Sequence, residues 1–430
     1  MPVSSNASFP KLRAVDIRPI LQDGRPALLL RDPLALSEQT VIVPQALGPA
    51  LALCDGTRDS FGIRAALTLR YGLRVGPEVV DRLLAALDDV LLLENERFRQ
   101  ACAEAVTAYR QAPFRPPTSA GASYPADPDE LRQLLQGYLD SVDGNMSRVD
   151  NPRLRRTGRW GGLISPHIDF ARGGPVYAAI WQRGAEIVRA ADLVVILGTD
   201  HYGDDLLTLT RQHYATPFGV LPTAQEVVDA LAQAIGPEAA FAGELRHRGE
   251  HSIELAAIWL QFILSETGQR AGARPAPTVV PILCGSFAAF TQGTADPEHD
   301  PTIAALVEAF RQVTAGRRVV VVAAADLAHV GPAFGGRPID EAGRARLRAA
   351  DEELIGRICT GDAAGFFAAI RREGDCNNVC GLPPIYLALR LLAPTSGEQV
   401  AYDHCPADNY GTSVVSVCGL LLWNSRYDQE

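Results

Sequence analysis

The apolar positions divide the chain into two differently patterned parts. Residues 13–31 alternate about Asp23-Gly24, with one apolar stretch at 17–21 and another at 27–30, a pattern that predicts a β-hairpin. Three short segments of helical spacing follow. The third opens at Pro77, which the first turn of a helix accepts, and places Val79, Val80, Leu83, Leu84 and Leu87 on one face. Residues 91–98 predict a strand and its exit. Residues 111–128, rich in Pro, Ala, Ser and Gly, have the composition of a linker and of the entry to a new domain. An amphipathic helix over 129–139 and a polar, loop-like stretch over 141–159 lead into the second part.

There the pattern changes to short continuous apolar runs at Leu163, 193–197, 279–284 and 319–325, separated by helical patterns at 224–235, 251–264 and 302–313. Uninterrupted apolar runs predict strands buried on both faces, and their alternation with helices predicts a mostly parallel sheet. The last two runs, near 400–403 and 413–423, have no helix between them and predict an antiparallel edge. The expected fold is therefore α/β, a mixed, mostly parallel sheet flanked by helices. In front of it stands a small α+β domain of winged-helix character. The boundaries expected are 1–110 for the small domain, 111–125 for the linker and 118–424 for the large domain.

Composition narrows the function. With 47% hydrophobic and 21% charged residues in 430, the chain is an ordinary globular protein long enough for two cores. A net charge of −10 argues against nucleic acid as a partner. No apolar run reaches membrane-span length and no secretory signal opens the sequence, so a cytoplasmic protein is expected. Eight cysteines spread over this length read as thiols rather than a disulfide framework.

Candidate chemistry collects where strands end. Gly161-Gly-Leu-Ile-Ser-Pro-His167 and Leu193-Val-Val-Ile-Leu-Gly-Thr-Asp200-His201 each end an apolar run in small residues and deliver an imidazole. Ligands of open α/β sheets gather beyond the carboxyl ends of parallel strands, and a metal ion is the simplest thing two converging imidazoles share. Taken singly, either histidine could equally be a loop residue bonded to backbone. A third run, 319–325, releases Asp326 and His329 together, and Glu250-His251-Ser-Ile-Glu254 opens a helix, where polar residues also serve as caps. Near the C-terminus, Cys376 and Cys380 are spaced for neither a radical cluster, whose third cysteine position is Pro383, nor the paired short spacings of a zinc site with Cys405 and Cys418. What remains is one thiolate, Cys380, joining His167 and His201 in a three-ligand site with open positions.

Five segments, Ser-Pro-His167, Gly-Thr-Asp-His201, Glu250-His251-Ser-Ile-Glu254, Ala-Asp326-Leu-Ala-His329-Val-Gly and Val-Cys380-Gly-Leu-Pro-Pro, stand in the order found in the Memo family. Over residues 118–424 the chain resembles its bacterial and archaeal branch, AmmeMemoRadiSam system protein B. The resemblance implies a fold similar to class III extradiol dioxygenases of the LigB type and a mononuclear iron-type site. His167, His201 and Cys380 would then be the metal ligands, with Asp326, His329 and His251 as catalytic candidates. His329 is expected to act as acid/base and Asp326 to orient it or a bound water. The cofactor expected is a divalent metal, Fe(II) first, with Zn or Cu as alternatives. The chain departs from the family at Ile168-Asp169-Phe170, where Ala-Gly-Tyr is commoner, and at Thr199-Asp200, where Pro-Ser is commoner. Ring-cleaving relatives carry a carboxylate where this chain has Cys380.

Two functional classes follow from the resemblance: a metal-dependent, dioxygenase-like redox enzyme, with zinc hydrolysis as a variant, and a non-catalytic module presenting a peptide or partner to a radical SAM enzyme. AMMECR1-like proteins are the other partners it implies. The first 110 residues resemble PqqD-like peptide-recognition domains, on the Leu53-Cys-Asp-Gly56 turn and the Val90-Leu-Leu-Leu-Glu94 end. A peptide ligand is expected there, against a plain structural cap.

Overall fold

The computed structural model describes residues 9–143, 160–265, 275–293 and 295–424. The chain forms two compact units, Met1–Ala112 and Pro113–Glu430. In the first, β1 (Asp16–Gln22) and β2 (Arg25–Arg31) pair antiparallel with Gln22 opposite Arg25. Asp23 and Gly24 between them take φ of 50° and 72°, the left-handed pair that a two-residue hairpin turn needs. Strand β3 (Val41–Pro44) adds to β2. Helices α1 (Gly48–Leu53), α2 (Ser60–Tyr71) and α3 (Pro77–Asp89) complete a core around Leu30, Val43, Ile63, Leu67, Val80 and Leu87.

The strand expected at 91–98 does not form. Leu91 turns the chain with a φ of 61°, and Leu93 makes a single bridge to Leu12. The Asn95 side chain then accepts the Phe98 N–H and caps helix α4 (Glu96–Gln111). Three consecutive leucines read as a strand, but the capping asparagine two residues further on decides the local structure.

The second unit begins with the stretch expected to be a linker, and from Arg115 onward that stretch is bound into the core. The Arg115 backbone pairs with that of Tyr214, its guanidinium is fully buried against Glu254, and Tyr124 is buried as well. Helix α5 (Pro128–Asp143) follows, and most of the polar stretch expected at 141–159 lies outside the described residues.

The unit is an eight-stranded sheet. Its strands are β4 (Trp160–Ser165), β5 (Leu193–Thr199), β6 (Leu207–Leu209), β9 (Thr278–Cys284), β10 (Val319–Ala324), β11 (His329–Val330), β12 (Thr395–Pro406) and β13 (Val414–Asn424). A separate hairpin is made by β7 (Tyr214–Thr216) and β8 (Gly219–Leu221). The order is β11-β13-β4-β10-β5-β9-β6, with β12 also on β13. Strands β4, β10, β5 and β9 are parallel; β13 and β6 flank them antiparallel, and β12 and β13 pair antiparallel, as expected for the C-terminal pair.

Period-two alternation along β10 divides the core. Val320, Val322 and Ala324 face α5, α6 (Phe170–Arg183), α7 (Ala185–Ala190) and α10 (Ser252–Ser265). Val319, Val321 and Ala323 face the other layer: α8 (Gln225–Ile235), α12 (Pro301–Val313), α13 (Glu341–Cys359), α14 (Ala363–Arg372) and α15 (Leu382–Leu392). Short helices α9 (Pro237–Phe241) and α11 (Ala288–Thr291) finish the second layer. Among the described residues no helix is long and apolar enough to cross a membrane.

A chain beginning at Pro113 keeps Arg115 and is expected to fold. One beginning at Thr118 leaves Glu254 buried without its cation, and breaking such a pair typically costs about 3–5 kcal/mol. Urea unfolding of the two chains side by side checks this, and equal midpoints would show that Arg115 carries no such weight.

Candidate metal centre

Three neighbouring strand ends build the site. Register aligns Ser165 of β4 with Ala324 of β10 and Ala324 with Gly198 of β5, so the residues just beyond them emerge side by side. These residues are His167, Asp326 and His201. Strand β10 lies between β4 and β5 although it is the last of the three in the chain, which is how Asp326 reaches His167. Asp326 Oδ1 accepts the backbone N–H of His167 at 2.9 Å and that of Ile168 at 3.3 Å, while its Oδ2 stands 3.8 Å from His167 Nε2. Asp326 thus orients His167 rather than His329.

The fourth group arrives with α10. Gly198 lies so close to Ser252 Oγ and Ile253 that a Cβ there would stand 2.5 Å from the hydroxyl, and only this bare backbone lets the start of α10 abut the end of β5. Glu250, just before the helix, is buried with its carboxylate between two imidazoles. Oε2 bonds His201 Nδ1 at 2.9 Å, and Oε1 meets His251 Nδ1 at 3.1 Å while accepting the N–H groups of His251 and Ser252. The capping role expected here is real, and one carboxylate combines it with holding two rings. His167 Nδ1 is tied in turn to the Ala324 carbonyl at 2.9 Å. With every Nδ1 held by an oxygen acceptor, Nε2 is the nitrogen each ring can offer a ligand once its proton is lost. One nitrogen from each of His167, His201 and His251 lies within 4.8 Å of the other two.

Cys380 completes the cluster, its Sγ 3.4 Å from His167 Nε2. Its loop is pinned to two strand ends. The Thr199 hydroxyl donates to the Cys380 carbonyl, and Gly381 donates to the Asp326 carbonyl so closely that a Cβ would stand 2.2 Å from that oxygen. Cys376 is exposed, its sulfur 3.9 Å from the Asn377 side-chain oxygen. Cys405 and Cys418 pack in separate apolar clusters. Burial pushes both of those thiols up, Cys405 to about 12, so neither is a thiolate. His329 leaves the β10 end as expected, with Nδ1 3.3 Å from the Leu327 carbonyl and its ring edge-on to Phe334.

The electrostatics suit a cation. Burial opposes the charge on His167, but the Asp326 carboxylate and the Cys380 sulfur raise its pKa to about 9. His201 is raised well above its usual value against burial by Glu250 and Cys380. Burial disfavours the Cys380 thiolate, yet His167, His329 and hydrogen bonds to the imidazoles hold its pKa well below the usual thiol range. Glu250, despite burial, is held ionised by His201 and His251. Three imidazole nitrogens and a thiolate, oriented by two carboxylates, are a donor set that a divalent transition metal fits. Local pattern does not single out Thr199 or Arg115 as site-building residues. Glu250 alone had a local signal, an acid directly before His251 that reads equally as a cap.

Residues 115–420 match the family model described as Memo-like protein. A MEMO1 family protein of Aquifex aeolicus is 28% identical over 258 residues, 60% of this chain and 64% of that protein, so the match spans slightly less than two thirds of it. One from Methanopyrus kandleri is 27% identical over 67% of this chain and 91% of its own length. One from Thermus thermophilus is 26% identical over 77% and 90%.

Ligand imidazoles must lose their protons to bind metal. The His167 pKa is raised to about 9 and that of His201 well above its ordinary value, so both imidazoles favour the protonated form at neutral pH, and His167 becomes neutral only as pH climbs towards about 9. Zinc affinity is therefore expected to rise with pH across that window, with protons released into a weakly buffered solution. Cys380→Ser removes the thiolate that raises His167 and should release fewer. A flat affinity profile from pH 6 to 9 would contradict the charge state described. Glu250→Gln should cost roughly 10–100-fold in affinity, the usual effect of losing an outer partner of ligand histidines.

Proposed function

The chain belongs to the Memo family, and we propose that its second unit is a mononuclear metal centre for redox chemistry of the dioxygenase-like class, with iron(II) as its metal. The carrying observation is the Glu250 carboxylate, which turns His201 and His251 so that their free nitrogens meet that of His167 beside the Cys380 sulfur. His167, His201 and Cys380 would hold the metal, and His251 faces the same point. A thiolate among imidazoles favours iron, zinc or copper over magnesium or calcium. Bound there, iron(II) supplies a redox-active Lewis acid with positions open to substrate.

The protein's own groups supply positioning and protons. Asp326 fixes His167 through two backbone N–H groups, and Glu250 fixes the other two rings. His329 is the acid/base candidate. Burial works against its charged form, but Cys380 and Asp326 raise its pKa above the ordinary imidazole value, which favours the protonated form beside the thiolate. Its Nδ1 points to the Leu327 carbonyl and the ring also bonds the Cys380 side chain, so the proton it would give to a reacting group lies beside the thiolate. A second reading, a module presenting a peptide or partner to a radical SAM enzyme, is favoured by the first unit, where Ile17, Leu21 and Ile42 are exposed on a small sheet.

Elemental analysis after anaerobic purification tests the centre. One divalent metal per chain is expected in the wild type and in Cys376→Ser, and its loss in His201→Ala and Cys380→Ser; equal occupancy in all four would remove the site as drawn. His329→Gln should keep its iron and lose roughly 10²–10⁴-fold in oxygen consumption with catechols or thiols as trial substrates. Equal rates would make His329 structural, and no reaction with anything tried would favour the presenting module.

A further inference from the structure

Behind the centre lies a buried ion pair whose donors are aimed at the ligand-bearing loop. The Arg115 guanidinium is completely buried. It donates from Nε to the His247 carbonyl at 2.9 Å and from Nη2 to the Glu250 carbonyl at 2.8 Å. The remaining donors reach the Pro116 carbonyl at 2.9 Å, the Thr118 hydroxyl at 3.0 Å and Glu254. Glu254 sits one turn into α10, four residues after Glu250. Its carboxylate also accepts the N–H groups of Thr118 and Ser119 and the Tyr124 hydroxyl. His247, held neutral by burial, which lowers its pKa to about 3, fastens the same loop to the Thr208 carbonyl at 3.0 Å.

We propose that Arg115, with Glu254 as counter-ion, is a positioning residue for the metal centre. It fixes the backbone at Glu250, and with it both the carboxylate that orients His201 and the place from which His251 projects. The assignment rests on the reading of the centre given above. A buried ion pair is by itself a poor source of stability, because desolvation offsets the attraction. Two guanidinium donors spent on carbonyls of the ligand loop, one of them Glu250's own, give the pair a geometric purpose. Lysine keeps the charge but cannot aim at both carbonyls from one rigid plane.

The test is cobalt(II) titration of the full chain, read by the ligand-field spectrum and by zinc competition. Arg115→Ala should bind cobalt roughly 10–100-fold more weakly, as loss of an outer partner does, with altered bands. Arg115→Lys should recover melting temperature more fully than cobalt affinity. The double variant Arg115→Ala/Glu250→Gln should lose less affinity than the two single losses combined, because Arg115 acts on the ligand histidines through Glu250. Wild-type affinity and spectrum in an Arg115→Ala protein that merely melts earlier, or additive losses in the double variant, overturn the assignment. Should Arg115→Ala not fold, hydrogen exchange of the wild type decides: cobalt is expected to slow exchange at the Thr118 and Ser119 amides, and unchanged exchange refutes the coupling. If His201→Ala also keeps wild-type cobalt affinity, the metal reading itself fails and takes this one with it.

Discussion

A buried, ionised carboxylate needs nearly all of its lone pairs occupied, and Glu250 meets that demand with the groups that make the site. It accepts the backbone N–H of His251 and of Ser252 and bonds the Nδ1 atoms of two imidazoles. Neither ring can swing away without leaving that charge under-solvated, so both stay oriented with Nε2 free. The rest of the second unit can be understood as what this arrangement requires. Helix α10 must begin at the end of β5, which needs a glycine at 198, and the backbone before it must be held, which Arg115 does from the segment entering the unit.

Charge is balanced over the same few groups. A thiolate and two carboxylates surround imidazoles that take up protons readily, so the field that would bind a metal ion binds protons when no metal competes. The positions at which the chain departs from commoner Memo patterns are engaged in holding this framework. Thr199 ties the Cys380 loop to β5. Asp200 pairs with Arg246, which also bonds Asp205 and Thr208. Asp169 caps α6 through the Arg172 N–H. Thr199 and Asp200 brace segments next to the donors, Asp169 starts the helix that follows His167, and none of the three is among the imidazole and thiolate donors themselves.

Much of this was legible in the order of residues. Short apolar runs ending in small residues marked β4, β5 and β10, and the histidines and aspartate that follow them lie together beyond the sheet. The Asp23-Gly24 hairpin, the helices at 225–235 and 301–313 and the antiparallel C-terminal pair also follow from local pattern. Periodicity and punctuation are set by residues within a few positions of one another, and such signals survive in a linear reading.

Other features depended on partners far along the chain. Glu250 meets His201 across 49 residues, Arg115 meets His247 across 132 and Cys380 meets His167 across 213. An arginine in a proline-rich stretch looks like a linker until a buried Glu254 claims it, and three leucines look like a strand until Asn95 starts a helix. The placing of β10 between β4 and β5 belongs to the same class. Local composition determined which residues could stand at strand ends. Only tertiary packing, through strand order and the need of each buried charge for a partner, decided which of them meet.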